Sequence, residues 1–199
     1  SVFALIDWAD TLHFERRGEG PAVMLLHGFT GSGPSMSEVS HALARDFEVI
    51  TPDLPGHGRS IAADDGPVHS FDDCLDRLAA TLEQAGHARA HWIGYSMGAR
   101  LALAFALRLP ERVASLLLVG ARAGIEGASE RAARRRADEA LAGRIETDGI
   151  EAFVDEWLAQ PLFASQQRLG GEFVAAQRRQ RLDNDARSLA ASLRGMGPG

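Results

Sequence analysis

Apolar positions along the chain fall into two alternating kinds of run. Ala22-Val23-Met24-Leu25-Leu26 is continuous and apolar, as a strand buried on both faces must be. Phe47 to Thr51, Ala90 to Ile93 and Val113 to Val119 are further strand candidates. Helical patterns separate them. One runs from about Ser35 to Ala44, and another repeats Phe71, Cys74, Leu75, Leu78, Ala79 and Leu82 between Phe71 and Ala85. A third, Ala99 to Leu109, is rich in Ala and Leu and is stopped by Pro110. Strands alternating with helices predict an α/β fold whose mostly parallel sheet is covered on both faces. Ahead of it, Val2 to Ile6 and Thr11 to Glu15, separated by Asp7-Trp8-Ala9-Asp10, predict a hairpin. After Gly120 the pattern changes. Residues 129–146, 150–158, 172–182 and 185–194 read as short helices with breaks at Gly149, Pro161 and Gly170-Gly171, and no strand-like run follows. Two units are expected: a sheet core over residues 1–120, and a helical insertion over residues 121–199 that covers the open end of the sheet.

Composition narrows the function classes. The 199 residues, 45% hydrophobic and 24% charged, suit one globular domain with a real core. The net charge is -6, with nine arginines against fifteen acids through Gly120 and twelve against twelve beyond it. That leaves no basic excess for a nucleic-acid partner. Lysine is absent, which excludes Schiff-base chemistry and a lysine-bound cofactor. No apolar run approaches the 18 or so residues a membrane span needs. The first residues carry no basic n-region. The single cysteine, Cys74, has no partner for an internal disulfide and is expected on the buried face of its helix. These features predict a cytoplasmic protein, and no cofactor or metal is expected.

The chemistry concentrates at Gly94-Tyr95-Ser96-Met97-Gly98, which fits the G-x-S-x-G nucleophile elbow. In that device a serine sits on a strained turn between a buried strand and a helix, and both flanks are present here. A side chain at 94 or 98 would crowd the neighbouring strand and helix. Ser96 is expected at a helix N-terminus, where free N–H groups and the dipole favour negative charge. Two loops complete the pattern. One is the glycine-rich His27-Gly28-Phe29-Thr30-Gly31-Ser32-Gly33 after the buried strand. The other is Asp53-Leu54-Pro55-Gly56-His57-Gly58-Arg59-Ser60 after the next. Taken together, the three motifs resemble the α/β-hydrolase fold. That resemblance implies oxyanion-hole N–H groups at Met97 and Phe29, a loop-propping role for His27, and a structural turn at Asp53 and His57 rather than a local triad.

A narrower resemblance covers the second unit. Tyr95-Ser96-Met97-Gly98-Ala99-Arg100, the run Arg131 to Asp138, and Trp157 through Gln160-Pro161-Leu162-Phe163-Ala164-Ser165 are similar to 2-succinyl-6-hydroxy-2,4-cyclohexadiene-1-carboxylate synthase of menaquinone biosynthesis. That family uses an esterase-like triad to remove a proton and expel pyruvate from a substrate bearing several carboxylates. By position the resemblance implies substrate contacts at Arg100, Arg134, Trp157 and Arg178, with Tyr95 beside the serine. The residue types agree, because a polyanion needs fixed cations and the planar guanidinium grips carboxylates bidentately. Of Arg131, Arg134, Arg135 and Arg136, Arg134 is taken for the pocket and the others for a solvated face paired with Glu130, Asp138 and Glu139. Arg178 is chosen over its neighbours Arg179 and Arg181. Two rival readings remain: a carboxylic-ester hydrolase with an apolar pocket, and a non-catalytic binding module retaining the elbow.

The triad partners of this fold follow the serine in the order acid, then histidine. All seven histidines (His13, His27, His41, His57, His69, His87 and His91) precede Ser96. The last strands with their acid and base are therefore expected to lie beyond Gly199, and these 199 residues alone are expected to be nearly inactive with one sheet edge exposed.

Overall fold

The computed structural model describes residues 11–61 and 70–198. Five strands form one sheet: β1 Phe14–Arg17, β2 Ala22–Leu26, β3 Glu48–Pro52, β4 Ala90–Tyr95 and β5 Val113–Val119. Their spatial order is β1-β3-β2-β4-β5, with β1 antiparallel to β3 and the remaining pairs parallel. All five residues of β2 are buried, as its unbroken apolar run requires of a central strand. The helices α1 (Ser37–Leu43), α2 (Phe71–Gln84) and α3 (Met97–Arg108) make the crossovers. The β2-to-β3 crossover steps one way along the sheet, while β3-to-β4 and β4-to-β5 step the other. Right-handed crossovers then put α1 on one face and α2 and α3 on the opposite one. β2 and β4 flank the point where the strand order reverses, which is where open α/β sheets bind ligands, at the carboxyl ends of the strands.

The core sits under α2 and α3. Met24, Leu26, Ile50 and Trp92 from the sheet pack with Leu78, Leu82, Leu101 and Phe105. Trp92 and Phe105 stack with ring centroids 4.0 Å apart. Cys74 is fully buried here, and burial pushes its thiol far above the ordinary range, so it packs as an inert hydrophobe. β5 is the sheet edge; Leu116 and Leu118 pack on the core while Leu117 and Val119 are about half exposed.

The predicted strand at Thr11–Glu15 begins later, at Phe14, and pairs with β3. Leu12 is buried in the core and its N–H donates to Thr81 Oγ1 of α2 at 3.0 Å, which draws that backbone away before the ladder starts. The expected partner strand Val2–Ile6 lies outside the described residues.

Beyond Gly120 the described residues contain no strand. α4 (Ala128–Leu158) is broken at Gly149 (φ 82°), so it is two helices where two were expected. α5 (Gly171–Leu182) and α6 (Ala186–Met196) follow. Pro161–Leu169, expected only as a break, winds into 3-10 turns. Ala142, Ile145, Phe153, Val154, Leu189, Ala190 and Leu193 form a second apolar cluster, and Phe29 of the loop after β2 packs against it.

Candidate active site

Ser96 follows β4 directly and caps α3 with φ 53° and ψ -110°, a conformation non-glycine residues rarely adopt. Its N–H donates to Val119 O at the end of β5 (2.8 Å), which pins the turn to the sheet. The flanking glycines are required by contact. A Cβ at Gly94 would stand 2.6 Å from Ala99 Cα, and one at Gly98 would stand 2.5 Å from His27 O. The serine itself is exposed. Gly28 also lies close by, since a Cβ there would meet that of Ser96 at 3.3 Å. Phe29 and Met97 therefore border the serine from two elements. Among the described residues neither of their N–H groups is taken by a backbone acceptor.

Ser96 opens onto a cavity of about 660 Å³ between the sheet ends and the helices α4 to α6. Tyr95, Met97, Phe29, Arg100, Arg134 and Trp157 line it, all positions singled out from the sequence. Five arginines (Arg100, Arg122, Arg134, Arg144 and Arg181) line it against two acids, Asp138 and Glu156, so its potential favours an anion carrying several charges.

The arginines are held in different ways. Arg100, half-buried one turn into α3, donates to Met196 O at 2.8 Å. Burial, and then the nearby Arg134 charge, push its pKa down, while Asp138 opposes them. Arg134 donates through Nε to Asp138 Oδ1 at 2.8 Å, leaving its terminal nitrogens uncommitted to that partner. Asp138 is buried, and its other oxygen has no partner among the described residues. Arg131 turns instead to the carbonyls of Ile125 and Glu126.

Arg178, expected at the pocket, stands apart from it in the structure. Its guanidinium grips both oxygens of the exposed Asp155, at 2.6 and 3.1 Å, and does not line the cavity. The arginine of α5 that does is Arg181. It lies over the Phe163 ring, 5.6 Å from the centroid, and donates to Gln177 Oε1 at 2.7 Å. Its Nε is buried without a partner among the described residues, and burial lowers its pKa.

The two histidines nearest the elbow are spent on backbone. His27 Nδ1 donates to Gly28 O (2.8 Å) and its Nε2 accepts from Leu54 N–H (2.9 Å). His57 Nδ1 donates to Pro55 O (3.1 Å), and its Nε2 accepts from Thr30 N–H (3.3 Å). Burial lowers their pKa values to about 4 and about 3, so both stay neutral near pH 7. Asp53 is likewise occupied, accepting from Gly33 N–H (2.6 Å) and Arg59 N–H (2.9 Å). No histidine lines the cavity among the described residues, and His69 lies outside them.

The alpha/beta hydrolase fold family matches residues 21–180, a stretch containing the elbow, both loops and most of the cavity wall. The chain belongs to the α/β-hydrolase fold family. Within it, the chain is 35% identical over 177 residues to the 2-succinyl-6-hydroxy-2,4-cyclohexadiene-1-carboxylate synthase of Escherichia coli O1:K1 / APEC, covering 87% of this chain and 66% of that one. It is 40% identical over 195 residues to a Bacillus subtilis (strain 168) protein provisionally given the same name, covering 96% of this chain and 71% of that protein. The chain therefore spans about two thirds of the length of these relatives. Among solved structures, MenH from S. aureus superposes with a TM-score of 0.87 at 31% identity, over 94% of this chain and 71% of that one. A malate-bound thermophilic esterase from Thermogutta terrifontis superposes at 0.79 and 29% identity, over 93% of this chain and 66% of that one.

Two features of this α/β hydrolase escaped the sequence reading. Arg181 could not be told from Arg178, because the partner that turns Arg178 outward lies 23 residues away on another helix. Asn184, buried between α5 and α6, bonds to both loops beneath the helices. Its only signal is a polar residue in a break that reads as solvent-exposed.

Proposed function

We propose that this chain is the elbow-and-cap part of a 2-succinyl-6-hydroxy-2,4-cyclohexadiene-1-carboxylate synthase, a lyase that eliminates pyruvate from 2-succinyl-5-enolpyruvyl-6-hydroxy-3-cyclohexene-1-carboxylate in menaquinone biosynthesis. The observation that carries the reading is the convergence of Arg100, Arg134 and Arg181 on the cavity that opens at Ser96. Residues 121–199 act as a cap that brings two of these cations over the serine. Arg100, Arg134 and Arg181 bind substrate carboxylates, while Trp157 and Tyr95 supply amphipathic walls. Removing the proton at C2 of the substrate builds negative charge on the adjacent succinyl ketone oxygen, which the N–H groups of Phe29 and Met97 receive. The C–O bond to the enolpyruvyl group then breaks and pyruvate leaves. Ser96 works through a base, and neither His27 nor His57 is that base, since both nitrogens of each are committed. A cytoplasmic setting suits a substrate whose charges keep it from crossing a bilayer.

The likeness to the Thermogutta esterase supports one second reading, carboxylic-ester hydrolysis. The polypeptide of the full natural reading frame, given the enolpyruvyl substrate and in parallel a nitrophenyl ester, separates the two. The lyase releases pyruvate, cleaves ester negligibly, and loses pyruvate release in Ser96→Ala. Ester cleavage without pyruvate overturns the proposal.

A further inference from the structure

Thr30 is the second non-glycine residue with positive φ among the described residues, at 70°. It is β-branched, so this conformation is strained and must be imposed from outside. Thr30 follows Phe29 in a turn closed by Gly31 N–H to Gly28 O (3.0 Å). In that turn the sign of φ at Thr30 goes with the orientation of the peptide between Phe29 and Thr30, the centre of the turn that carries Phe29. Two groups hold it. His57 Nε2 takes the Thr30 N–H at 3.3 Å, and Asn184 Nδ2 donates to Thr30 O at 2.9 Å. The same Asn184 amide donates to Arg181 O (3.2 Å), and its oxygen accepts from Gly58 N–H (2.8 Å). Two carbonyls face its nitrogen and one N–H faces its oxygen, so the amide has one satisfying orientation. A carboxylate at this position would confront both carbonyls with no donor.

We propose that Asn184 is a positioning residue that couples the seating of the cap to the oxyanion loop, holding through Thr30 the turn that carries the Phe29 N–H. The chain of contact is short. Asn184 belongs to the turn between α5 and α6, 96% of its surface is buried, and it reaches 154 residues back to Thr30. The Phe29 ring is held from above by Trp157 and Phe153 of α4, with centroids 5.5 and 6.3 Å away. Side chain and backbone of the loop are thus both gripped by the helices. When the cap lifts, Thr30 O loses the Asn184 donor, Thr30 relaxes toward negative φ, and the turn that holds the Phe29 N–H beside the serine loosens. This inference rests on the proposed oxyanion role of Phe29.

Asn184→Asp tests it, because the introduced carboxylate keeps the bond from Gly58 N–H and loses the donor to Thr30 O. The first readout needs no turnover: amide hydrogen exchange, resolved to the segment 28–31. The proposal expects at least tenfold faster exchange in that segment and no change in α2 or α3. The second readout is kcat for pyruvate release, expected to fall about tenfold to a hundredfold, with KM within threefold because the cavity arginines stay in place. Asn184→Ala, which removes all three bonds, should exceed both effects. Unchanged exchange at 28–31, or a uniform rise across the chain, overturns the proposal. Local loosening in a protein whose wild type releases no pyruvate leaves the clamp standing and sinks the lyase reading instead.

Discussion

The elbow and its supporting loops differ from the helical layer above them in how their polar groups are spent. Beneath, His27, His57, Asp53 and the Ser96 amide are tied to backbone with short, mutually exclusive bonds. Above, Asp138 Oδ2, Trp157 Nε1, Arg181 Nε and Ser192 Oγ are buried without partners among the described residues, and all four residues line the cavity. Buried polar atoms are nearly always paired in finished structure, and each exception asks for a reason. In the supporting loops Thr30 Oγ1 is the one buried polar side-chain atom left without a partner among the described residues, and the lower region serves to hold one strained serine. The upper region keeps capacity in reserve, which is what a surface meant for a polyanionic ligand should do.

That contrast can be broken most forcefully at the glycines. Gly98→Val places side-chain atoms 2.5 Å from His27 O and 2.6 Å from Leu26 O, both backbone. The expected cost exceeds about 4 kcal/mol, seen as loss of folded protein by circular dichroism. Gly143→Ala, in α4, meets nothing within 4 Å. It should stabilise by about 0.5–1 kcal/mol in a urea titration, from helix propensity alone. Equal effects at the two positions would erase the distinction between a constrained base and a tolerant cap.

Acid sharpens the same comparison. His27 and His57 have folded pKa values of about 4 and about 3, below the ordinary 6.5. As pH falls the unfolded chain therefore binds protons first. Their contribution to stability is full above about 6.5 and is lost as pH falls through that value toward the folded ones. At pH 5 each should have cost about 2 kcal/mol relative to pH 7.5, read from urea midpoints. Imidazole resonances of both residues that titrate near 6.5 in the folded protein would contradict this account.

The sheet was legible in the sequence because burial on both faces leaves an uninterrupted apolar run, as in β2, and because Gly94 and Gly98 announce a turn nothing larger can occupy. The kink at Gly149 was legible for the same reason of backbone permissiveness. The start of β1 was not, since the bond from Leu12 N–H to Thr81 joins residues 69 apart. The cavity was legible only in part. Arg100 follows from its place one turn into the helix after Ser96, and both Arg100 and Arg134 from the match to the family's pattern. α5, with arginines at 178, 179 and 181, offers no phase signal until Asp155 is known to stand beside one of them. Asn184 needed the two loops it joins to be seen together.

The central claim is that the cavity arginines, and not arginine content as such, bind the carboxylated substrate. It is tested most directly by KM for pyruvate release in Arg181→Ala beside Arg178→Ala, on the polypeptide of the full natural reading frame. Losing one charge-assisted contact of about 1.5–3 kcal/mol should raise KM on the order of tenfold to a hundredfold in Arg181→Ala and leave Arg178→Ala within twofold of wild type. The reverse ordering, or no change in either, would contradict the account.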